Sequence, residues 1–478
     1  MSLELTRTRS GTTREMMDWF FSIHLLKGWL PTSIFAATAV GIILLVVLKS
    51  KDGWLDPLLK QLGWGVIGGL LGYFIVWLLS DVFVVFGVSL GSLVETTIVY
   101  GIAVLSILIA MCIDSGKIRR IVSIITIILT LISCGLKVDA IYGEYTTMGS
   151  LFGHNQFSKL DPSIIGKASS STDNTLENWE NLGKANKLPK MPEHGEVHSV
   201  DIPATLSHFK ARTANIYLPP AALTKNPPKL PVMVVMAGQP GTPDRFFSAG
   251  TLGKKLDDYA SKHYGLAPIA VSPDQNGSLT HNSLCADTSS GNAETYITKD
   301  VTNWITSTLP VDTTPEKWLI GGFSQGGTCA TQLGPAHPDL YGHIYSAGGE
   351  IEPASGSHNA TVKRYFGGNE KAFDKHVPIT IIKHNSPSKQ TWFSAAGQVD
   401  WKSQKNQKTI SKAAMDAGMS VTTVIVKGTG HDWHTVNAGM MAQIDLFGDE
   451  TGLGKANKEI DSYPLLEVVA SNTNTFND

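Results

Sequence analysis

The chain has 478 residues and a net charge of −2, from 39 Lys and Arg against 41 Asp and Glu. It carries no Lys/Arg-rich run and no interleaving of aromatic with basic residues, so nucleic-acid binding is not predicted. The first third is strongly apolar and the remainder polar. This division predicts a membrane domain over residues 1–138, a linker over 139–195 and a soluble domain over 196–478.

Residues 1–30 mix charged side chains with aromatic ones such as Trp19 and Phe20. That mixture is typical of an amphipathic helix lying at a membrane surface. A disordered tail leading into the first span is the alternative. No small-residue cleavage site follows a short apolar core, so we do not predict a cleaved signal peptide.

Four apolar runs follow, and each can cross the bilayer as a helix of roughly 17–25 residues. Asp81 interrupts the second run; it lies near the interface, faces a neighbouring helix or is a functional intramembrane carboxylate. The same run has glycines at small-xxx-small spacing, which predicts close helix packing within the lipid bilayer. The four runs are 32–48, 64–88, 96–113 and 118–137, and the glycines are Gly65, Gly68, Gly69 and Gly72.

Basic residues are concentrated in the first and third loops between these runs, and the second loop has none. The positive-inside rule places such loops in the cytoplasm, so with four spans both ends of the chain lie outside. We therefore expect a multi-pass cell-membrane protein with an extracytoplasmic soluble domain. The supporting residues are Lys49, Lys51, Lys60, Lys117, Arg119 and Arg120, and those that oppose this orientation are Arg7, Arg9 and Arg14.

From about residue 196 the pattern alternates between strands and helices, which predicts an α/β fold with a doubly wound, mostly parallel sheet. Residues 377–383 and 391–396 are two further strand candidates, and a loop is the alternative for one of them. The predicted strands are 196–202, 208–218, 230–236, 268–272, 317–320, 341–347, these two candidates and, as the last, 421–427. The predicted helices are 244–264, 293–308, 401–418 and one that begins at about 328.

The segment Gly321-Gly322-Phe323-Ser324-Gln325-Gly326-Gly327 lies between a predicted strand and a predicted helix. It matches the Gly-x-Ser-x-Gly nucleophile elbow, whose sharp turn exposes the serine oxygen above the sheet. Glycines two residues to either side let strand and helix approach closely. Ligands of such sheets bind at the carboxyl ends of the strands. Ser324 is therefore the predicted nucleophile.

A serine nucleophile needs a base and a group that orients the base. In this fold the chain order is serine, acid, histidine. Asp400 follows a late strand and precedes a helix, so it is the predicted acid, with a helix N-cap as its alternative role. His431 follows the last predicted strand in a tight loop and is the predicted base. Rival acids are Glu350, Glu352 and Asp374, and the rival base is His434.

The spacing of His431 and His434 resembles that of metal ligands on a helix, but no Cys or carboxylate stands at a suitable distance, so neither a metal nor a cofactor is predicted. The oxyanion of acyl transfer needs two backbone N–H donors. We expect one from Gln325 and the other from Gln239 or a neighbour. A plain Gly/Pro turn is the alternative for residues 237–241.

The elbow and Gly430-His431-Asp432-Trp433 resemble the esterase D / mycolyltransferase group of α/β-hydrolases. Cys285-Ala-Asp-Thr, Gly-Asn-Ala-Glu-Thr-Tyr at 291–296 and the following Asp300-Val301 resemble its actinobacterial branch. The resemblance covers roughly residues 196–445. It implies acyl-ester chemistry through the residues selected above. The segment 237–239 lacks the Asp-Gly and Arg usual in mycolyltransferases, which disfavours trehalose–mycolate transfer.

The favoured hypothesis is a membrane-anchored extracytoplasmic serine esterase or acyltransferase, with lipid or cell-envelope acyl esters as substrates. Mycolyltransferase-like transfer to a sugar and a non-catalytic membrane sensor are the alternatives. Cys329 lies just over one turn into the elbow helix, and Cys285 follows a strand expected beside the elbow strand. A disulfide is therefore predicted, against two free thiols, and an oxidising compartment would preserve it.

Overall fold

The computed structural model describes residues 16–48, 55–83, 85, 90–113, 115–167, 175–455 and 458–472. The chain forms two compact units, Met1–Gln156 and Phe157–Asp478. Part of the predicted interfacial helix lies outside the described residues, as do Lys49, Lys51, Arg7, Arg9 and Arg14. Residues 16–22 are helical, and Trp19 is 59% exposed.

Four helices in the described part of the first unit are long and apolar enough to cross a membrane, in agreement with the four apolar runs. Asp81 is exposed in the π-helical turn Leu78–Val82, which continues the helix Leu55–Trp77. The glycines of that helix pack closely, as predicted: a side chain at Gly65 or Gly68 would collide with Ile107 or Ser106 of the helix Ser92–Ile113. The helices are α1 Trp29–Val47, α2 Leu55–Trp77, α3 Ser92–Ile113 and α4 Lys117–Tyr142, followed by the short α5 Met148–Leu151.

The second unit is built on one mixed sheet. Its strands are β1 Glu196–Val200, β2 Ala214–Leu218, β3 Val232–Met236, β4 Ile269–Ser272, β7 Trp318–Phe323, β8 His343–Ala347, β9 Thr391–Gly397, β10 Ser420–Val426 and β11 Leu466–Ser471, with Asp287–Thr288 (β5) and Gly291–Asn292 (β6) as a separate ribbon. The order among the described strands is β1-β2-β4-β3-β7-β8-β9-β10-β11. The six strands from β4 to β10 in this order are parallel to one another, and β1, β2 and β11 are antiparallel at the two edges.

Helices between the strands complete the layered α/β arrangement. Every residue of β3 and β7 is buried, as expected for central parallel strands covered on both faces. The helices are α6 Leu176–Lys184, α7 Arg245–Ser248, α8 Leu252–Ala260, α9 Ala293–Thr295, α10 Thr302–Thr308, α11 Gln325–Ala336, α12 His358–Phe366, α13 Glu370–Asp374, α14 Pro378–His384, α15 Trp401–Asp416 and α16 Trp433–Thr451, with the π-helical Tyr296–Val301 joining α9 to α10.

The sheet has a topological switch point between β3 and β7. The chain runs outward from β3 to β4 on one side, and β7 then lies on the other side of β3. Loops that leave adjacent strands in opposite directions open a crevice at their carboxyl ends. The loop from Ala237 and the elbow at Ser324 leave the sheet at this crevice.

Three strand predictions were wrong. In the run 377–383, residues 378–383 are helical in α14, because Pro378, Ile381 and Ile382 form one buried helical face that outweighs the β-branched composition. Only the end of 208–218 is a strand; His208 has a φ of 53° and turns the chain before β2. The run 421–427 is not the last strand, since β11 pairs with β10 and closes that edge of the sheet.

Candidate active site

Ser324 lies in a strained turn between β7 and α11. Its φ of 54° and ψ of −117° are rarely adopted by a residue with a side chain, and such strain persists only where the surroundings enforce it. Its N–H donates to Ala347 O over 2.8 Å. A side chain at Gly326 would collide with the carbonyl oxygens of Met236 and Ala237, so this glycine lets the elbow pack against the end of β3.

The structure brings Ser324, His431 and Asp400 together. Ser324 Oγ lies 2.8 Å from His431 Nε2, and His431 Nδ1 lies 2.7 Å from Asp400 Oδ2. Since a carboxylate only accepts, Nδ1 carries the proton and donates it to Asp400. Nε2 of the neutral ring is then the acceptor for the serine hydroxyl. The arrangement can remove the hydroxyl proton as Ser324 attacks an acyl carbon.

Asp400 also fills the alternative role considered for it. Its Oδ1 accepts the Ser403 N–H over 3.1 Å and caps the N-terminus of α15, and its Oδ2 faces His431. Burial by itself raises the pKa of Asp400, but the hydrogen bonds and charge of His431 and the bonds from Ser403 hold the pKa below its ordinary value. The carboxylate is therefore ionised at neutral pH.

The imidazole of His431 is buried. Burial lowers its pKa, but the hydrogen bond and charge of Asp400, followed by the charges of Glu350 and Asp432, outweigh burial and raise the pKa above its ordinary value. The raised pKa makes the imidazole a stronger base toward the serine hydroxyl.

The loop that carries His431 is fixed by Asp432, which sequence reasoning missed. Asp432 Oδ2 accepts the Gly430 N–H over 2.6 Å, and Oδ1 accepts the Thr435 N–H over 2.9 Å as the N-cap of α16. Thr435 Oγ1 donates back to Gly430 O over 2.7 Å. An Asp directly before a helix is a common N-cap, and this is the sequence signal that could have identified the residue.

The structure does not bring the rival residues into the relay. Glu350 pairs with Lys402 at 3.2 Å, and Glu352 contacts His358. Asp374 and His434 are both exposed. No group of three His, Cys, Asp or Glu among the described residues could hold a metal ion.

The two predicted oxyanion donors belong to segments on either side of Ser324. Gln325 is the first residue of α11, where backbone N–H groups have no acceptor within the helix. A side chain at Gly238 would reach within 3.2 Å of Ser324 Cβ, so the loop that carries Gln239 lies beside the nucleophile.

The predicted disulfide between Cys285 and Cys329 is present, with a Cα–Cα separation of 5.5 Å. It joins the loop after β4 to α11, the helix that begins at the elbow. Gln325 Nε2 lies 3.6 Å from Cys285 Sγ, so the disulfide lies close to the first residue of α11, next to the nucleophile.

Comparisons with known proteins agree with this fold. Residues 209–444 match the sequence model of the family described as "Putative esterase". An uncharacterized protein of Corynebacterium glutamicum is 29% identical over 440 residues, which cover 90% of this chain and 100% of that protein. The match therefore includes much of the apolar N-terminal part.

Several solved structures resemble the C-terminal domain at low identity. A ferulic acid esterase has a TM-score of 0.46 and 18% identity, and covers 54% of this chain and 99% of its own. An S-formylglutathione hydrolase from Agrobacterium tumefaciens has a TM-score of 0.45 and 17% identity, with coverages of 55% and 98%. MPT51 of Mycobacterium tuberculosis has a TM-score of 0.38 and 16% identity, and the match covers 56% of this chain and 99% of MPT51. The family match over residues 209–444, the elbow motif and the mixed sheet agree with one another: the C-terminal domain has an α/β-hydrolase fold and is similar to the putative esterases, and its class is that of serine ester hydrolases or acyltransferases.

Proposed function

We propose that the chain is a membrane-anchored, extracytoplasmic serine esterase or acyltransferase that acts through Ser324, His431 and Asp400. The observation that carries the proposal is the hydrogen-bonded relay, with heavy-atom distances of 2.8 and 2.7 Å, on a nucleophile elbow. These distances lie within the range in which a base can take a proton from a nucleophile.

The reaction follows from the protonation states. His431 Nε2 takes the hydroxyl proton while Ser324 Oγ attacks the acyl carbon, and the backbone N–H groups of Gln325 and Gln239 receive the developing oxyanion. The protonated imidazole, stabilised by Asp400, returns the proton to the leaving alcohol as an acyl-enzyme forms. Water or a second alcohol then attacks the acyl-enzyme with His431 again as base, and Ser324 is released.

Two observations support the membrane and extracytoplasmic parts of the proposal. Four described helices have the length and composition of membrane spans. The disulfide between Cys285 and Cys329 favours an oxidising compartment, because cytosolic thiols are kept reduced. Both fit the orientation that the basic loops predict. A domain held at the bilayer would meet acyl esters of lipids or of the cell envelope.

Alanine variants of the two histidines test the assignment of the base. Loss of a triad member typically removes about 10⁴-fold or more in kcat. We expect His431→Ala to abolish hydrolysis of a short-chain p-nitrophenyl ester by the full-length protein in detergent. The exposed His434 provides a matched control, and His434→Ala is expected to retain most of the activity. An inactive His434→Ala with an active His431→Ala would refute the assignment.

A further inference from the structure

Gln275, in the loop after β4, contacts both segments that flank the nucleophile. Its Nε2 lies 2.7 Å from Ala237 O, at the start of the loop that carries Gln239, and 2.9 Å from Gln325 Oε1. The side chain is 3% exposed. A carboxamide nitrogen has two N–H donors, and these two acceptors use both.

The orientation of this amide is determined by its partners. Ala237 O can only accept, so the nitrogen of Gln275 must face it. The rest of the network agrees: Gln325 Oε1 also accepts from Asn276 Nδ2 at 3.2 Å, and Gln325 Nε2 faces Asn276 Oδ1 at 3.2 Å and Asn282 Oδ1 at 3.4 Å. All partners of the Gln325 side chain lie within the loop 275–285.

That loop is held at both ends. Asp274, which is fully buried, forms a two-pronged pair with Arg212, at 3.0 Å to Nε and 2.7 Å to Nη2. Asp274 also accepts the N–H groups of Asn276 and Gly277. At the other end, the disulfide ties Cys285 to α11. Gln275 therefore extends from a rigid loop.

We propose that Gln275 is a positioning residue that fixes the backbone N–H groups of Gln239 and Gln325, the two oxyanion donors, relative to each other. The peptide between Ala237 and Gly238 fixes the course of the loop that carries Gln239, and Gln325 supplies the other donor. A single amide bonded to both keeps their N–H groups convergent on one point beside Ser324. This inference rests on the proposed function, because it assumes that Gln239 and Gln325 are the donors.

Removing both donors from Gln275 without changing its size tests the proposal. In Gln275→Met the two segments lose their common partner, and the oxyanion donors are no longer held in place. Loss of one oxyanion donor costs about 10²–10³-fold in kcat, so we expect about a 10- to 100-fold loss when the donors are misplaced rather than removed. KM for a short-chain p-nitrophenyl ester is expected to change little, because the oxyanion forms only in the transition state.

Gln332 offers a matched control. It is a buried glutamine, 2% exposed, on α11, and its Nε2 donates to Leu284 O of the same loop over 3.2 Å. Gln332→Met makes the same chemical change at a side chain that has no hydrogen bond to Ala237 or Gln325. We expect it to keep the wild-type kcat, even where its thermal stability falls as much as that of Gln275→Met.

Inhibition by an alkyl boronic acid distinguishes a positioning role of Gln275 from a role in stability alone. It forms a tetrahedral adduct on Ser324 whose oxygen occupies the oxyanion position. Its inhibition constant is expected to rise in parallel with the loss of kcat/KM in Gln275→Met and to stay at the wild-type value in Gln332→Met.

Gln275→Leu, which also removes both donors, provides a second test if the Met variant does not fold. Wild-type kcat and boronate affinity in a folded Gln275 variant would overturn the inference while leaving the proposed function intact. An inactive wild-type protein would instead refute the proposed function itself.

Discussion

The chemistry of the candidate site depends on the balance of opposing effects at His431. Burial disfavours the charged imidazole, and Asp400 favours it by a hydrogen bond of 2.7 Å and by its charge. The effect of the carboxylate outweighs that of burial, so the pKa of His431 lies above its ordinary value. The base must be neutral to accept the serine proton, so activity is expected to rise with pH as the imidazole loses its proton.

The pH dependence of kcat/KM tests this balance. The free enzyme should show an acid limb centred above the ordinary histidine pKa of about 6.5. In Asp400→Asn the effects that raise the pKa of His431 are weakened and burial remains, so the limb should move to lower pH. The maximal rate should also fall by about 10⁴-fold, because the amide favours the wrong tautomer. A limb that stays in place or moves to higher pH in this variant would contradict the account.

At the residue scale, the sequence predicted the residues that belong to local motifs. Ser324 follows from the elbow pattern, and Asp400 and His431 follow from their places after late strands. Gln275 was not predicted, because its role depends on contacts with residues 38 and 50 positions away. A glutamine in a loop has no local pattern that reveals such partners.

Among the elements, the loop between β4 and β5 links several parts of the site. It carries Gln275, and its Cys285 is bonded to Cys329 at a sequence separation of 44. The disulfide restricts this loop in the unfolded chain as well as in the folded domain. In the chain-entropy model, closing a loop of about 45 residues contributes roughly 4 kcal/mol.

Removing the disulfide should therefore destabilise the C-terminal domain. We expect Cys285→Ala combined with Cys329→Ala to lower the free energy of unfolding by roughly 4 kcal/mol, measured by denaturant titration of the full-length protein. The control replaces the free thiols Cys112 and Cys134 by serine, and its C-terminal domain should unfold as in the wild type. Mass spectrometry after alkylation without reduction should label only those two cysteines. Full alkylation of Cys285 and Cys329 would contradict the bond.

Elements with clear periodicity were predicted well, and ambiguous ones were not. The β-branched run in α14 looks like a strand, but Pro378 suits the first turn of a helix and three buried side chains share one face. β11 was missed although Leu466, Val468 and Ala470 alternate with Glu467, Val469 and Ser471. Its position at an edge leaves three of its six residues exposed, one of them Val469, so the apolar pattern is weak.

The whole molecule combines four candidate membrane helices with a disulfide-bonded hydrolase domain. An extracytoplasmic position of the domain is compatible with both the membrane helices and the disulfide. The basic residues predicted for the loops give the same orientation by the positive-inside rule, although the structure places Lys60 in the second turn of α2 and Lys117 at the start of α4, and the arginines near the N-terminus oppose it.

Reporter fusions test this topology. Alkaline phosphatase fused to the C-terminus should be active, because it needs an oxidising compartment to form its own disulfides. A reporter that works only in the cytosol should be silent at the same position. The reverse pair of results would place the C-terminus in the cytoplasm, through an inverted orientation or an odd number of spans, and would contradict the extracytoplasmic assignment.

The identity of the nucleophile is the central claim, and covalent labelling tests it most directly. A fluorophosphonate reacts only with a serine that an adjacent base activates. We expect the full-length protein to acquire one adduct, located by mass spectrometry on Ser324, and the Ser324→Ala variant to acquire none. An adduct on another serine, or labelling that persists in Ser324→Ala, would contradict the account.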